Sequence, residues 1–185
     1  MCARGFAIHS EHRLPIPIAQ IREASNADTD ALVALINRAF GAEAFCIIGD
    51  RTNVTDIQSR HSTGKFLVID SDDRSSLIGS VYCSIVGQRG YLGLLAVHPD
   101  AQGRGLSSRL IGALEDRCRQ AGCNFVDLTV VNVRHNLFPF YARFGYAAYD
   151  VLPFPMPEAA RMPMHLVKLS KALHAPGALA APLAH

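Results

Sequence analysis

No stretch of this chain approaches the roughly 18 consecutive apolar residues that a membrane span needs. Lysine and arginine are scattered and form no basic run, and the net charge is only +2. A nucleic-acid partner and a membrane partner are therefore not expected. Cysteine is sparse. Cys2, Cys46, Cys83, Cys118 and Cys123 are odd in number, include no CxxC pair and have no histidine at zinc-ligand spacing. That argues against a disulfide framework and against a metal site, and it fits reduced thiols in a cytoplasmic protein. Cys83, inside a strand pattern, reads as core. Residues 1–15 carry Arg4 and Arg13 but no apolar h-region, so they read as a flexible lead-in, not a secretion signal. Residues 173–185 are mostly alanine, proline, glycine and leucine without a period, and read as a flexible tail.

What remains is enough for one soluble globular domain: 185 residues, 49% hydrophobic and 18% charged. The domain is placed at residues 16–172. Residues 16–23 alternate weakly, as a first strand does. Ser25-Asn26-Ala27-Asp28 signals a helix start, Leu32, Leu35, Ile36 and Phe40 recur at helical spacing, and Gly41 closes the helix. Thr52-Asn53 caps a short helix through 57–61. Strands follow at 65–69 and 77–86, the latter with Leu77, Gly79, Val81, Cys83 and Ile85 on one face. Gly87-Gln88-Arg89-Gly90 turns the chain into a third strand at 91–97. A helix runs to Gly122 with the stripe Leu106, Leu110, Ile111, Leu114 and Cys118. Residues 125–131 are a central strand, joined to 91–97 by a connection long enough for a right-handed crossover between parallel strands. A short helix at 137–143 precedes two last strands, 146–151 and 164–169, linked by a proline-rich loop. The fold class is mixed α/β: a mostly antiparallel sheet with one central parallel βαβ crossover and helices on both faces.

The most informative stretch is Gln102-Gly103-Arg104-Gly105-Leu106-Ser107, between a strand and a helix. The first turn of a helix presents unpaired N–H groups and about half a positive charge. Glycines let that backbone approach an anion closely. Arg104 adds a direct charge. This is chemistry for a phosphate-bearing ligand.

Two motifs in this order resemble the GCN5-related N-acetyltransferases (GNAT). That family carries R/Q-x-x-G-x-G/A at this strand-helix junction; here the last position is Ser107. Downstream, Phe140-Tyr141-Ala142-Arg143-Phe144-Gly145-Tyr146 is similar to the family's F-Y-x-x-x-G-F/Y segment. The resemblance implies an N-acetyltransferase that moves the acetyl group of acetyl-CoA, its cosubstrate, to an amine by direct attack in a ternary complex. It implies that Leu95, Ala96 and Val97 hold the pantetheine arm along a strand edge freed by strands splaying after Val97 and near Val131. The loop, Gln102, Gly103, Arg104, Gly105, Leu106 and Ser107, would hold the pyrophosphate. Asn136, or else Asn132, would hydrogen-bond the coenzyme, and Tyr141 would protonate the departing thiolate as general acid. The acceptor is a small-molecule or peptide amine, and a homodimer stays open.

One family feature is absent. Many relatives carry a glutamate four residues before the valine of Leu-x-Val, and here that position is Gly93. Glu43, His61, His98, Asp127 and His135 are the other candidate bases. Three rival readings stay open: a non-catalytic acyl-CoA sensor of the same fold, a dinucleotide-binding oxidoreductase with Asp127 on the ribose, and glycines that merely close a turn.

Overall fold

A computed structural model describes residues 20–173 of the chain. The proposed lead-in, the first residues of the expected first strand and nearly all of the expected tail lie outside the described residues. Eleven regular elements are described. They are β1 (Ile21–Glu23), α1 (Thr29–Phe40), α2 (Val54–Thr63), β2 (Lys65–Asp70), β3 (Leu77–Val86), β4 (Arg89–Val97), α3 (Leu106–Gln120), β5 (Phe125–Val131), α4 (Leu137–Ala142), β6 (Ala147–Pro153) and β7 (His165–Ala172).

Local chemistry accounts for most of the boundaries. Asp28 accepts the Ser25 N–H at 2.7 Å and closes a capping box ahead of α1. Asn53 caps α2 by accepting the Asp56 N–H at 2.9 Å. β3 and β4 form a hairpin whose paired residues Val86 and Arg89 leave only Gly87 and Gln88 in the turn. The turn is thus shorter than the four residues expected, because Arg89 and Gly90 already pair as strand.

The sheet runs in the order β1-β2-β3-β4-β5-β7-β6. Only β4 and β5 are parallel; the other neighbours are antiparallel. α3 and α4 cover one face, where Leu110, Ile111, Leu114 and Tyr141 pack on Val81, Leu92, Val126 and Leu128. α1 and α2 cover the other, where Leu32, Ile36 and Ile57 pack on Phe66, Val68 and Leu94. Each fully buried aliphatic side chain here contributes about 1.5–3 kcal/mol. Leu77 joins this second face, although its sequence parity had placed it with Val81. The register slip where β3 begins, between Ile69 and Asp70 of its partner, undoes the alternation.

Glu115 is the clearest departure from the pattern. It stands outside the apolar stripe of α3, yet it is buried with 4% exposure. Lys171 of β7 donates to its two carboxylate oxygens at 2.8 and 2.6 Å, Arg119 at 3.2 Å and the Tyr146 hydroxyl at 3.1 Å. This network ties α3 to the β7 half of the sheet.

Candidate functional site

β4 and β5 are the elements that make a site. Their parallel register covers only Arg89↔Phe125, Gly90↔Val126 and Tyr91↔Asp127, and then stops. The strands therefore part at Tyr91, well before the Val97 expected from the sequence. On its other side β4 stays paired to β3 as far as Val97. The rest of the β4 edge, including Leu95, Ala96 and Val97, is left without a strand partner toward β5. A peptide-like ligand can hydrogen-bond such an edge.

A bulge shapes the same edge. The β3–β4 register slips between Ser80 and Tyr82, and Leu94 has a φ of +45°, rare for a non-glycine. Tyr91 packs with the α1 face, but so do Leu94 and Ala96, so the alternation inverts across Gly93. Leu95 and Val97 consequently belong to the α3 face. The faces that Leu95, Ala96 and Val97 present are thus set by a distortion that the apolar run does not advertise.

The glycine loop lies just past this edge. His98 ends β4 and caps the helical turn Pro99–Ala101. Gln102, Gly103, Arg104 and Gly105 are all exposed. Gly103 and Gly105 have φ of +76° and +75°, and Gly105 is the N-cap of α3 in a left-handed conformation. A Cβ at either position meets nothing within 4 Å, so backbone conformation and not crowding calls for glycine. The N-terminus of a 15-residue helix faces open space here. Leu106 is buried as the anchor of that helix, and Ser107 is half-buried.

Tyr141, on α4, is buried with 8% exposure. Its ring meets Phe140 and Tyr146 edge-on, with centroids 5.0 and 6.0 Å away. Its carbonyl oxygen accepts the N–H groups of Phe144 and Tyr146 at 3.0 and 3.3 Å. Burial pushes its hydroxyl well above the ordinary tyrosine range, and the neighbouring Tyr91 and Glu43 push the same way while Arg134 opposes them. Among the described residues the hydroxyl makes no hydrogen bond. It is a protonated donor not committed elsewhere in the fold.

The two asparagines differ. Asn132 accepts the His165 N–H on its side-chain oxygen at 2.9 Å, tying the end of β5 to β7. Asn136 is exposed at the start of α4, with no capping bond from its side chain.

The candidate bases separate too. Asp127 is clamped by Arg89, whose two nitrogens donate to its two oxygens at 2.6 Å each. Burial works against its charge, yet the bonds from Arg89 and Ser170 hold its carboxyl below the usual range. An acid so committed is unsuited to a ribose or a proton. His98 accepts the Asp100 N–H at 3.3 Å, and His135 is exposed. His61 lies on α2 against Phe66, ring centroids 5.4 Å apart, with a buried Nε2 that has no partner. Glu43 is buried and pairs with Arg134 at 3.1 Å.

Among the described residues no group of histidine, cysteine and acidic side chains could hold a metal ion. No helix there is long and apolar enough to cross a membrane.

Comparison with known proteins bears on the family and the fold. The family model of the GNAT acetyltransferases matches residues 30–146, more than half of the chain. Three solved structures share the fold. The Escherichia coli ribosomal-protein-S18-alanine N-acetyltransferase superposes with a TM-score of 0.70 at 14% identity, covering 89% of this chain and 99% of that one. Ard1 from Thermoplasma volcanium gives 0.68 at 18%, covering 85% and 99%. A putative acetyltransferase from Salmonella typhimurium, yncA, solved with its cofactor acetyl-CoA, gives 0.67 at 20%, covering 90% and 99%. At these identities the likeness is one of fold.

Proposed function

The chain belongs to the acetyltransferase (GNAT) family, and from that premise we propose that it is an N-acetyltransferase that uses acetyl-CoA and an amine acceptor in a ternary complex. The observation that carries the proposal is the β4 edge left free beyond Tyr91, running into the glycine loop at the head of α3. An edge that accepts an amide-bearing arm, followed by a cluster of exposed N–H groups at a helix start, fits pantetheine followed by pyrophosphate. We assign Leu95, Ala96 and Val97 to the arm, and Gln102, Gly103, Arg104, Gly105, Leu106 and Ser107 to the pyrophosphate. Asn136, with its uncommitted side chain, is the asparagine assigned to the coenzyme. The domain is taken as residues 16–172. The free thiols of Cys46, Cys83, Cys118 and Cys123 support a reducing, cytoplasmic setting.

Bound acetyl-CoA supplies a thioester whose acetyl carbon is open to attack. The acceptor nitrogen forms the new bond to that carbon, and the carbon–sulfur bond breaks. Tyr141 is the donor to the departing sulfur. Backbone N–H groups of the β4 edge near Ala96 and Val97 are the donors for the carbonyl oxygen.

The test is release of free coenzyme A thiol from acetyl-CoA with a panel of amines. The name of the Escherichia coli relative specifies a protein alanine acceptor, so the panel includes peptides beginning with alanine beside small amines. Amine-dependent thiol release supports the reading. Thermal protection by acetyl-CoA without turnover on any amine points to a sensor of the same fold. No protection at concentrations far above micromolar refutes coenzyme binding altogether.

A further inference from the structure

Acetyl transfer to an amine needs a group that takes the ammonium proton, and Gly93 offers none. The reason is visible in the packing. A Cβ on Gly93 lies 2.8 Å from Cε1 of Tyr91 and 3.4 Å from Cδ1 of Tyr82, so aromatic rings fill the space a longer side chain needs. A base must come from elsewhere.

Among the described residues only two acidic side chains are buried, Glu43 and Glu115. Glu115 is committed to Lys171, Arg119 and Tyr146. Asp127 is held on both oxygens by Arg89. Glu43 differs from both. It stands in the helical turn Gly41–Glu43 that extends α1. Arg134, after β5, donates to its Oε1 at 3.1 Å, and Oε2 has no partner among the described residues. The two side chains are 11% and 15% exposed. Glu43 is fixed from behind as well: its carbonyl oxygen accepts the N–H groups of Cys46 and Ile47 at 2.9 Å each.

Position matters as much as burial. Tyr141 belongs to the core cluster on the α3 face, while α1, which leads into Glu43, packs on the opposite face with Tyr91. The charges of Glu43 and Arg134 nevertheless both act on the Tyr141 hydroxyl, as does Tyr91. The sheet has a gap for such an encounter, because β4 and β5 part at Tyr91 and Asp127. The Tyr91 hydroxyl and Thr129 Oγ1, 3.2 Å apart, mark the crotch of that gap.

We propose that Glu43 is the carboxylate that receives the acceptor ammonium and takes its proton, with Arg134 as the positioning residue that holds the carboxylate in place. This rests on the acetyl-transfer reading above. The ammonium N–H donates to Oε2 while Oε1 stays on Arg134. The proton passes to Oε2 and the neutral nitrogen attacks the acetyl carbon. The carbon–sulfur bond breaks as Tyr141 donates a proton to the sulfur, and the second proton of the acylated nitrogen passes through water to the tyrosinate, restoring Tyr141. Glu43 then returns its proton to water. The occupant is a primary amine that arrives as a cation. Two loops frame its approach: Ile47 and Ala160 form a β-bridge, Ile48 donates to the Ala159 carbonyl at 2.8 Å, and Arg161 donates to the Cys46 carbonyl at 2.9 Å. The charged and titratable groups around Glu43 are Arg134, Arg51, Cys46 and Tyr141. Burial raises its carboxyl above the ordinary range against the pull of Arg134 and Arg51, which narrows the proton-transfer gap to an amine.

The experiment measures thiol release by the full chain with its best amine between pH 6 and 10. Glu43→Gln is expected to lower kcat/KM at pH 7 by about 100-fold or more. The loss is expected to shrink as pH nears the pKa of the amine, where water supplies the neutral nucleophile, while thermal protection by acetyl-CoA stays unchanged. Glu43→Asp, which keeps the charge, is expected to recover part of the neutral-pH rate, and it carries the test if Glu43→Gln does not fold. An unchanged kcat/KM in Glu43→Gln, or a loss of the same factor at every pH, overturns the proposal while leaving acetyl transfer intact. A wild-type chain that binds acetyl-CoA and acetylates no amine overturns both.

Discussion

Replacing Tyr141 with phenylalanine separates chemistry from packing at a single oxygen. Phenylalanine keeps the edge-on contacts to Phe140 and Tyr146 and the carbonyl that ends α4. The hydroxyl it removes belongs to a residue with 8% exposure and makes no hydrogen bond among the described residues. No structural bond is lost, so stability should hold to within about 1 kcal/mol. That corresponds to a Tm change of at most a few degrees, on the order of 2–4 °C for a chain of this size. Activity should behave differently. A positioned proton donor contributes about 10²–10⁴-fold. The low end applies here, because a tyrosine raised above its usual value of about 10 is a weaker acid than a thiol of about 8.5. It can support the leaving sulfur through a hydrogen bond and a transient proton shift, with the tyrosinate neutralised afterwards. The expected fall in kcat is therefore about 100-fold, or about 2.7 kcal/mol. Because burial keeps the hydroxyl protonated, Tyr141 should impose no alkaline fall in rate below about pH 10. The assay is thiol release against pH beside a thermal melt with and without acetyl-CoA. A kcat within threefold of wild type, in a variant that still binds acetyl-CoA, makes Tyr141 a packing residue and refutes the argument.

Three further outcomes follow from the packing. Glu115→Ala should cost about 3 kcal/mol in urea unfolding, since it leaves Lys171 and the Tyr146 hydroxyl unpaired inside the fold; a loss under 1 kcal/mol contradicts the network. Gly93→Glu should destabilise by about 1–3 kcal/mol without raising turnover, because its Cβ meets the Tyr91 ring at 2.8 Å; a stable and faster variant contradicts that. Asp28, hydrogen-bonded by Arg22, has its carboxyl held at about 2. A folded value below the unfolded one stabilises above about pH 4, and the contribution is lost as pH falls toward 2. Arg22 is 39% exposed, so solvent screening reduces the effect to about 1 kcal/mol. Asp28→Asn should lose that much at pH 7 and progressively less as pH falls through about 2, read from unfolding midpoints.

Local chemistry made much of this protein legible before any coordinates. A capping signal at Ser25, the apolar stripe on α3 and the hairpin glycine each act within a few residues, so a linear reading can find them. The glycine loop is of the same kind: a strand end, two left-handed positions and a helix start are neighbours in sequence as in space. The burial of Glu115 is not legible from the period of α3, because its partner Lys171 stands 56 positions away.

The amino-acid sequence by itself determined the element order, the glycine loop at the head of α3 and the tyrosine that follows it, since each depends on backbone preferences and side-chain period over one or two turns. Tertiary structure decided the rest. β7 inserts between β5 and β6, β4 and β5 part at Tyr91 and not at Val97, and Glu43 meets Arg134 across 91 positions. Strand order, the point where parallel pairing fails and the partner of a buried charge depend on which distant surfaces pack together, and no short window of sequence records that.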